Sequence, residues 1–407
     1  MRRTILPVLA SLAAATAATL TPAGAAPTVA PTGAAQSWIV VLEDGAPGRV
    51  AKQHSRAHDA AVSHVYRDAV RGYAARMTPE DAAGVAADPR VASVQRDRAV
   101  RATAQSTPTG IDRVGADLSS TQAGNGSGAV DVDVAVIDTG IDLDHPDLNV
   151  HTAGAVNCST GKSADDGNGH GTHVAGTIGA VDDTTGVVGV APGARVWPVR
   201  VLDNRGSGTW SAVICGIDYV AAHADQIEVA NMSLGGSGTD LGSCGNGSDA
   251  MHAAICNAVA RGVTFVVAAG NESDDAANHT PAAYDEVITV SALADFNGTP
   301  GGGAAATCRA DVDDTFAGFS NYGADVDLIA PGVCIASTWK GGGYNTISGT
   351  SMASPHVAGG AALYLASNPG ASPAQVKQAL QASGSTDWDD VDDPDSTKEK
   401  LLEVSMY

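Results

Sequence analysis

The chain has 407 residues, 44% of them hydrophobic, enough for a full core; this excludes a disordered tail and suits a targeting segment with one small and one large domain. Aromatic residues make up only 4% while Gly alone numbers 48, so the core must be built from small, closely packed side chains. Residues 1 to 103 hold 12 of the 23 Lys and Arg and 8 of the 45 Asp and Glu, leaving 11 basic against 37 acidic residues afterwards, about −26. A body so acidic repels nucleic acid and anionic membranes and favours cations, which argues against nucleic-acid and membrane partners.

In chain order, residues 1–25 read as an export signal: Arg2 and Arg3, an apolar run broken by Pro7, and small residues at Ala23 and Ala25 for cleavage. The run is too short and Ala-rich for a bilayer anchor. Export implies oxidised cysteines. The six, Cys158, Cys215, Cys244, Cys256, Cys308 and Cys334, allow 15 pairings, and none has the CxxC spacing of structural zinc. The pairing expected is Cys158–Cys215, Cys244–Cys256 and Cys308–Cys334, the last two resting on closeness in sequence.

After a Pro/Ala/Thr linker, residues 36–103 alternate strand and helix patterns: strands at WIVVL, HVYRDAVRGYAARM and VASVQRD, helices at 47–61 and 79–87. That order predicts a small α+β module. The run AVRATAQSTPTG then reads as an exposed, cleavable junction. From residue 131, the apolar strands DVAVID, RVWPVRVL, EVANMSL, TFVVAAG and VITVSA alternate with helices near 171–180, 209–223 and 248–261, followed by helices at 350–367 and 373–382. The alternation predicts an α/β fold, a mostly parallel sheet with helices on both faces. Ligands of such sheets bind where strands end, and Asp138, Ser233 and Asn271 each follow a strand.

Hydrolysis through a serine needs a nucleophile, a base, a carboxylate to orient the base, and donors for an oxyanion. Ser351, in GTSMASPHVAGG, stands at a helix start, with Gly349 permitting a tight turn and Pro355 suiting the first turn. Amides and dipole there favour an oxyanion. His170, in GNGHGTHVAG, is flanked by glycines that allow close approach. His173 shares its helix face, which raises a metal pair, but no HExxH pattern supports one. Asp138, in VAVIDTGID, ends an apolar strand, so its carboxylate is partly desolvated beside any imidazole. Each alone has a plainer reading as a cap, a packed histidine or a turn aspartate. DTG also occurs in aspartic proteases, whose chemistry needs two carboxylates, and only one copy is present.

Together, VAVIDTGIDLDHPDL, GNGHGTHVAGTI and ISGTSMASPHVAG resemble the three signature blocks of the subtilisin family in its order Asp, His, Ser. The resemblance covers nearly all of 104–405, and 36–103 is similar to that family's inhibitory propeptide, a ferredoxin-like module. It implies a secreted serine endopeptidase with domains at 1–25, 36–103 and 104–407. Asp138 would orient, His170 act as base and acid, Ser351 attack, and Asn271 donate to the oxyanion. Ser233, Leu234 and Gly235 match the strand that pairs with an extended substrate backbone, which implies broad specificity. The resemblance also implies structural calcium: one site at Gln105, Asp147 and Asp183 with the carbonyls of Val181, Thr185 and Val187, and a second, as in proteinase K-like members, at Asp327 with the carbonyls of Asp285 and Val287. His279 falls near the floor of the main side-chain pocket. The partners implied are protein and peptide substrates and the chain's own propeptide, whose basic charge complements the acidic body, with the enzyme a monomer. The alternatives are a binding protein on an inactive fold and an acyl-transfer enzyme cleaving esters or ligating peptides.

Overall fold

In this computed structural model, which describes residues 35–97, 105–245, 249–395 and 397–407, two compact units divide between residues 102 and 103. The expected export signal at 1–25 and the expected maturation point near Ala104 lie outside the described residues.

The first unit runs β1 (Gln36–Leu42), α1 (Pro47–Ala57), β2 (Ala61–Tyr66), β3 (Gly72–Met77), α2 (Pro79–Ala86) and β4 (Val91–Arg96). Its sheet is antiparallel throughout, in the order β2-β3-β1-β4, the split βαβ arrangement of a ferredoxin-like module. The stretch 64–77 expected as one strand is a hairpin. Exposed Arg67, Asp68 and Arg71 interrupt the apolar alternation, and the chain turns there. Likewise α1 stops at Ala57, before the 61 expected, because β2 begins at Ala61. Both helices begin with proline, whose missing N–H costs nothing in a first turn, and Thr78 caps α2 by accepting from the Asp81 amide at 3.1 Å. One face of the sheet and both helices share a core of Val40, Val50, Tyr73, Ala75, Met77 and Val85.

The second unit opens with a short helix, α3 (Thr109–Arg113), and then β5 (Asp133–Asp138), β6 (Val156–Asn157), α4 (His170–Gly179), β7 (Arg195–Arg200), α5 (Trp210–Ala222) and β8 (Val229–Met232). It continues through β9 (Gly236–Ser237), α6 (Ala250–Val259), β10 (Thr264–Ala268), β11 (His279–Thr280), β12 (Ile288–Ala294), β13 (Thr315–Phe316) and β14 (Leu328–Pro331). A hairpin of β15 (Ile335–Trp339) and β16 (Gly343–Ile347), helices α7 (Thr350–Ser367) and α8 (Pro373–Ser383), and β17 (Lys400–Leu401) complete it. The main sheet has the order β17-β14-β12-β10-β8-β5-β7-β6, parallel along its length, with β13 added antiparallel to β12.

Alternation along β5 separates two cores. Val134 and Val136 join the cluster containing α4, α7 and α8 residues, while Ala135 and Ile137 join the one under α5 and α6. Both faces are therefore covered, and the strands are continuous in apolar residues, as the sequence predicted. The largest helix, α7, is buried on every side, from Met352 and Ala353 to Ala361 and Leu363, which only small side chains permit. After β5 the chain runs to the edge strand β6, returns through α4 to place β7 between β6 and β5, then crosses through α5 to place β8 on the opposite side of β5. This reversal opens a crevice at the carboxyl ends of β5 and β8.

All three expected disulfides are formed: Cys158–Cys215, Cys244–Cys256 and Cys308–Cys334. The first ties the end of edge strand β6 to α5 and closes a loop of sequence separation 57. In a chain-entropy model such a closure stabilises by about 4 kcal/mol. Replacing both Cys158 and Cys215 by serine is expected to lower stability by that order, read as a fall in the denaturant midpoint of a Ser351→Ala background that cannot digest itself.

Candidate active site

Asp138 is the last residue of β5, and its side chain is 1% exposed. The carboxylate accepts from the Thr139 amide at 2.6 Å and faces His170 Nδ1 at 2.8 Å and 3.0 Å through its two oxygens. The close approach depends on Gly171, where a Cβ would lie 2.1 Å from the Gly140 carbonyl oxygen and 3.1 Å from the Asp138 Cβ. Gly169, just before α4, has φ 117° and leaves no room for a Cβ, which would meet the Trp339 indole at 2.4 Å. Burial opposes protonation of His170, but the Asp138 charge and hydrogen bond, with Asp166 behind, outweigh it and hold the imidazole above its ordinary value.

Asp166 was not singled out in the sequence, yet it organises this helix start. Its Oδ1 accepts from Thr139 Oγ1 and from the amides of Asn168 and Gly169, each at 2.9 Å. Its Oδ2 accepts from the Thr172 amide at 3.0 Å and the Thr172 hydroxyl at 2.6 Å. Thr139 Oγ1 in turn accepts from the Gly171 amide at 2.9 Å, so strand end and helix start are locked together. An acid shortly ahead of a helix that opens on glycine is the signal that could have revealed it. His173 is fully buried, its Nε2 against the Ile335 carbonyl at 2.9 Å, and burial pushes it down to about 3; it is a packed neighbour of the site.

Ser351 is the second residue of α7. Pro355 lies sixth in that helix, past the first turn expected for it, and lacks the N–H that would have bonded the Ser351 carbonyl. The Ser233 hydroxyl donates to that carbonyl instead, at 2.8 Å, and Asn231 Nδ2 holds the Ser233 hydroxyl at 2.9 Å. Ser351 Oγ is turned to the Ser233 carbonyl at 3.3 Å, and no hydrogen bond joins it to His170. Gly349 precedes α7 at φ 157° and ψ 162°, a region open essentially to glycine alone, and its carbonyl accepts from the Met352 amide at 2.9 Å in the turn that opens the helix.

Asn271 follows β10, and its Oδ1 accepts from the Thr350 amide at 2.8 Å and hydroxyl at 3.1 Å. An amide donor fixes which end is oxygen, so Nδ2 is the end left for the cleft. Two adjoining cavities meet at Ser351. The larger, about 800 Å³, is lined by His170, Ser233, Leu234, Gly235, Trp210 and Ser351 among others. The smaller, about 110 Å³, is lined by Leu234, Gly235, Asn271, Glu272, His279 and Ser351 among others.

The first group of expected cation ligands converges. Gln105 Nε2 lies 2.8 Å from the Val181 carbonyl and 3.2 Å from that of Val187, and the Gln105 amide donates to Thr184 O at 3.0 Å. Asp147 Oδ2 accepts from the Val187 amide at 3.0 Å, while its buried Oδ1 has no partner. Burial pushes this carboxyl up to about 6. An oxygen-rich pocket with an orphaned carboxylate oxygen fits a hard cation. Asp183 instead turns to its own loop, accepting from the Thr185 amide at 2.6 Å and hydroxyl at 3.0 Å. The second group also converges, and the Lys377 ammonium sits among Asp327 Oδ2 and the carbonyls of Asp285 and Val287, at the point where the cation was expected.

Removing the Asp166 carboxylate orphans several buried donors at once. Asp166→Ala is expected to cost about 2–4 kcal/mol, and Asp166→Asn less, since its amide oxygen still accepts; denaturant unfolding of both variants checks this.

The subtilase family model matches residues 130–399, and the peptidase inhibitor I9 model matches residues 33–103. An extracellular serine proteinase of Thermus sp. (strain Rt41A) is 42% identical over 331 residues, 79% of this chain and 72% of the relative. Subtilisin DY of Bacillus licheniformis is 41% identical over 284 residues, 69% of this chain and 92% of the relative. The crystal structure of a cold-adapted subtilisin-like serine proteinase is similar at TM-score 0.58 and 38% identity, over 73% of this chain and 97% of that one. A parallel sheet with an acid at one strand end, and a histidine and a serine at two helix starts, is thus accompanied by sequence kinship across both units: the chain belongs to the subtilase family and is a serine endopeptidase with an I9 propeptide domain.

Proposed function

We propose that Ser351, His170 and Asp138 hydrolyse peptide bonds, with Asn271 Nδ2 and the Ser351 amide as oxyanion donors. The observation that carries this reading is the buried Asp138 carboxylate facing His170 Nδ1 at 2.8 Å on the wall of the cleft that Ser351 also lines. The carboxylate fixes the tautomer with its proton on Nδ1, which leaves Nε2 to accept. Rotation of Ser351 about χ1 away from the Ser233 carbonyl brings Oγ to Nε2. Oγ then attacks the scissile carbonyl carbon while its proton passes to Nε2. The carbonyl oxygen becomes an oxyanion, held by the two donors. Collapse breaks the C–N bond, and Nε2 protonates the leaving amine. Water, deprotonated by the same nitrogen, cleaves the acyl-enzyme and regenerates Ser351.

Ser233 on the larger cavity, with Leu234 and Gly235 on both, runs on from β8 and supports pairing with an extended substrate backbone and hence broad specificity. The I9 domain acts as the chain's own inhibitor until it is cut away, and the mature enzyme works as a monomer on extracellular proteins and peptides. Three disulfides and the name of the Thermus relative support secretion. Calcium is held by Gln105, Asp147 and the carbonyls of Val181 and Val187, with Asp183 and the carbonyl of Thr185 beside them, and supplies charge that braces the loop after α4.

The matured enzyme is expected to degrade casein and a Ser351→Ala copy to leave it intact; equal cleavage by both rejects the mechanism. Because Asp138 raises His170, the neutral base is lost as pH falls, and the acid limb of kcat/KM is expected above the ordinary histidine value of about 6.5. Asn271→Ala is expected to lower kcat by roughly 10²–10³, the loss known for this donor in subtilisin.

Removing calcium with EDTA is expected to lower Tm, and Asp147→Asn to abolish most of that response. Since Asp147 must be ionised to hold the cation, stabilisation by added calcium is expected to be full above about 6 and to fade as pH falls through and below it. Calorimetric melts at several pH values test both.

A further inference from the structure

Strand β14 begins one residue after Asp327, and the chain before β12 turns so that the carbonyls of Asp285 and Val287 face the same point. Three oxygens meet there, and helix α8 delivers one ammonium to them. Lys377 Nζ lies 2.8 Å from Asp327 Oδ2, 2.9 Å from the Val287 carbonyl and 3.2 Å from the Asp285 carbonyl. An ammonium has three donors, and each finds one acceptor.

The rest of the carboxylate is already engaged. Thr289 N donates to Asp327 Oδ2 at 3.0 Å, and Gln381 Nε2 donates to Oδ1 at 3.1 Å. Lys377 and Gln381 are four residues apart on α8, so one helix face presents both groups. Calcium takes six to eight oxygens and commonly both oxygens of a carboxylate. Here Oδ1 is committed to Gln381, and the position between the three oxygens is held by a side chain of this same chain.

We propose that Lys377 is a tethered replacement for a divalent cation, so that this locus is closed to calcium and its stability is independent of calcium concentration. A free ion leaves when its concentration falls below its dissociation constant. An ammonium fixed to α8 cannot leave without moving the helix. Its single charge also matches the single carboxylate in contact with it, so the partly buried pair is neutral. Calcium dependence of this protein therefore belongs to the Gln105 and Asp147 loop alone among the two loci compared.

The test uses the full chain with Ser351→Ala, read by bound calcium per chain and by melting, so it does not depend on the catalytic reading. Lys377→Met keeps the aliphatic stem and removes the charge. In EDTA it is expected to melt roughly 5 °C or more below its parent, because Asp327 loses its partner. In millimolar calcium it is expected to regain most of that loss and to bind one calcium more than the parent. Asp327→Asn with Lys377 intact is expected to leave the calcium count unchanged. If Lys377→Met gains no calcium, or if Asp327→Asn loses one, the proposal is wrong. Should Lys377→Met fold only with calcium present, that supports the proposal; should it fold under neither condition, the calcium count of Asp327→Asn decides.

Discussion

A single burial governs this molecule: the carboxylate of Asp138 at the end of a strand whose every other residue is withdrawn from water. A charge there is tolerable only when donors surround it. The Thr139 amide and the His170 ring supply them, and the glycines around His170 exist in the positions that let the ring arrive. Reactivity and stability are coupled at this point, since the contact that relieves the buried charge is also the one that raises the basicity of the imidazole.

The opposite wall of the cleft is arranged by a missing donor. Pro355 takes one bond out of α7, the carbonyl so released belongs to Ser351, and the Ser233 hydroxyl fills it. Asn231, Ser233 and Ser354 extend the connection: Asn231 Nδ2 holds Ser233, and Ser354 Oγ donates to Asn231 Oδ1 at 2.7 Å. The serine's backbone is thereby pinned to the segment that follows β8.

Much of this was legible because the periodicities were strong. Residues 134–137 and 265–268 are unbroken apolar runs within strands, and α4, α5 and α6 lie within a few residues of their expected spans. Residues tied to strand ends, Asp138, Ser233 and Asn271, could be placed by that logic alone. Harder to see were β14 and the β15–β16 hairpin, where Gly332 and Gly341 to Gly343 break the pattern into short pieces. Harder still were partners fixed only by tertiary approach. Asp166 and Thr139 meet across a loop, and Lys377 reaches its three oxygens from a helix ninety residues downstream of two of them. Composition suggested cations at acidic loops, but nothing in sequence separation tells whether an ion or a lysine will neutralise a given carboxylate.

The bond between Cys158 and Cys215 has one more consequence for a molecule whose own kind cuts exposed chain. It makes a covalent ring of the stretch that includes α4 and β7, with His170 inside it. One cleavage anywhere on that ring opens a gap but releases no fragment, because both severed ends remain anchored through sulfur. A single nick in this stretch therefore leaves the two ends tethered near their native places, whereas a nick outside any ring leaves them held by non-covalent packing alone.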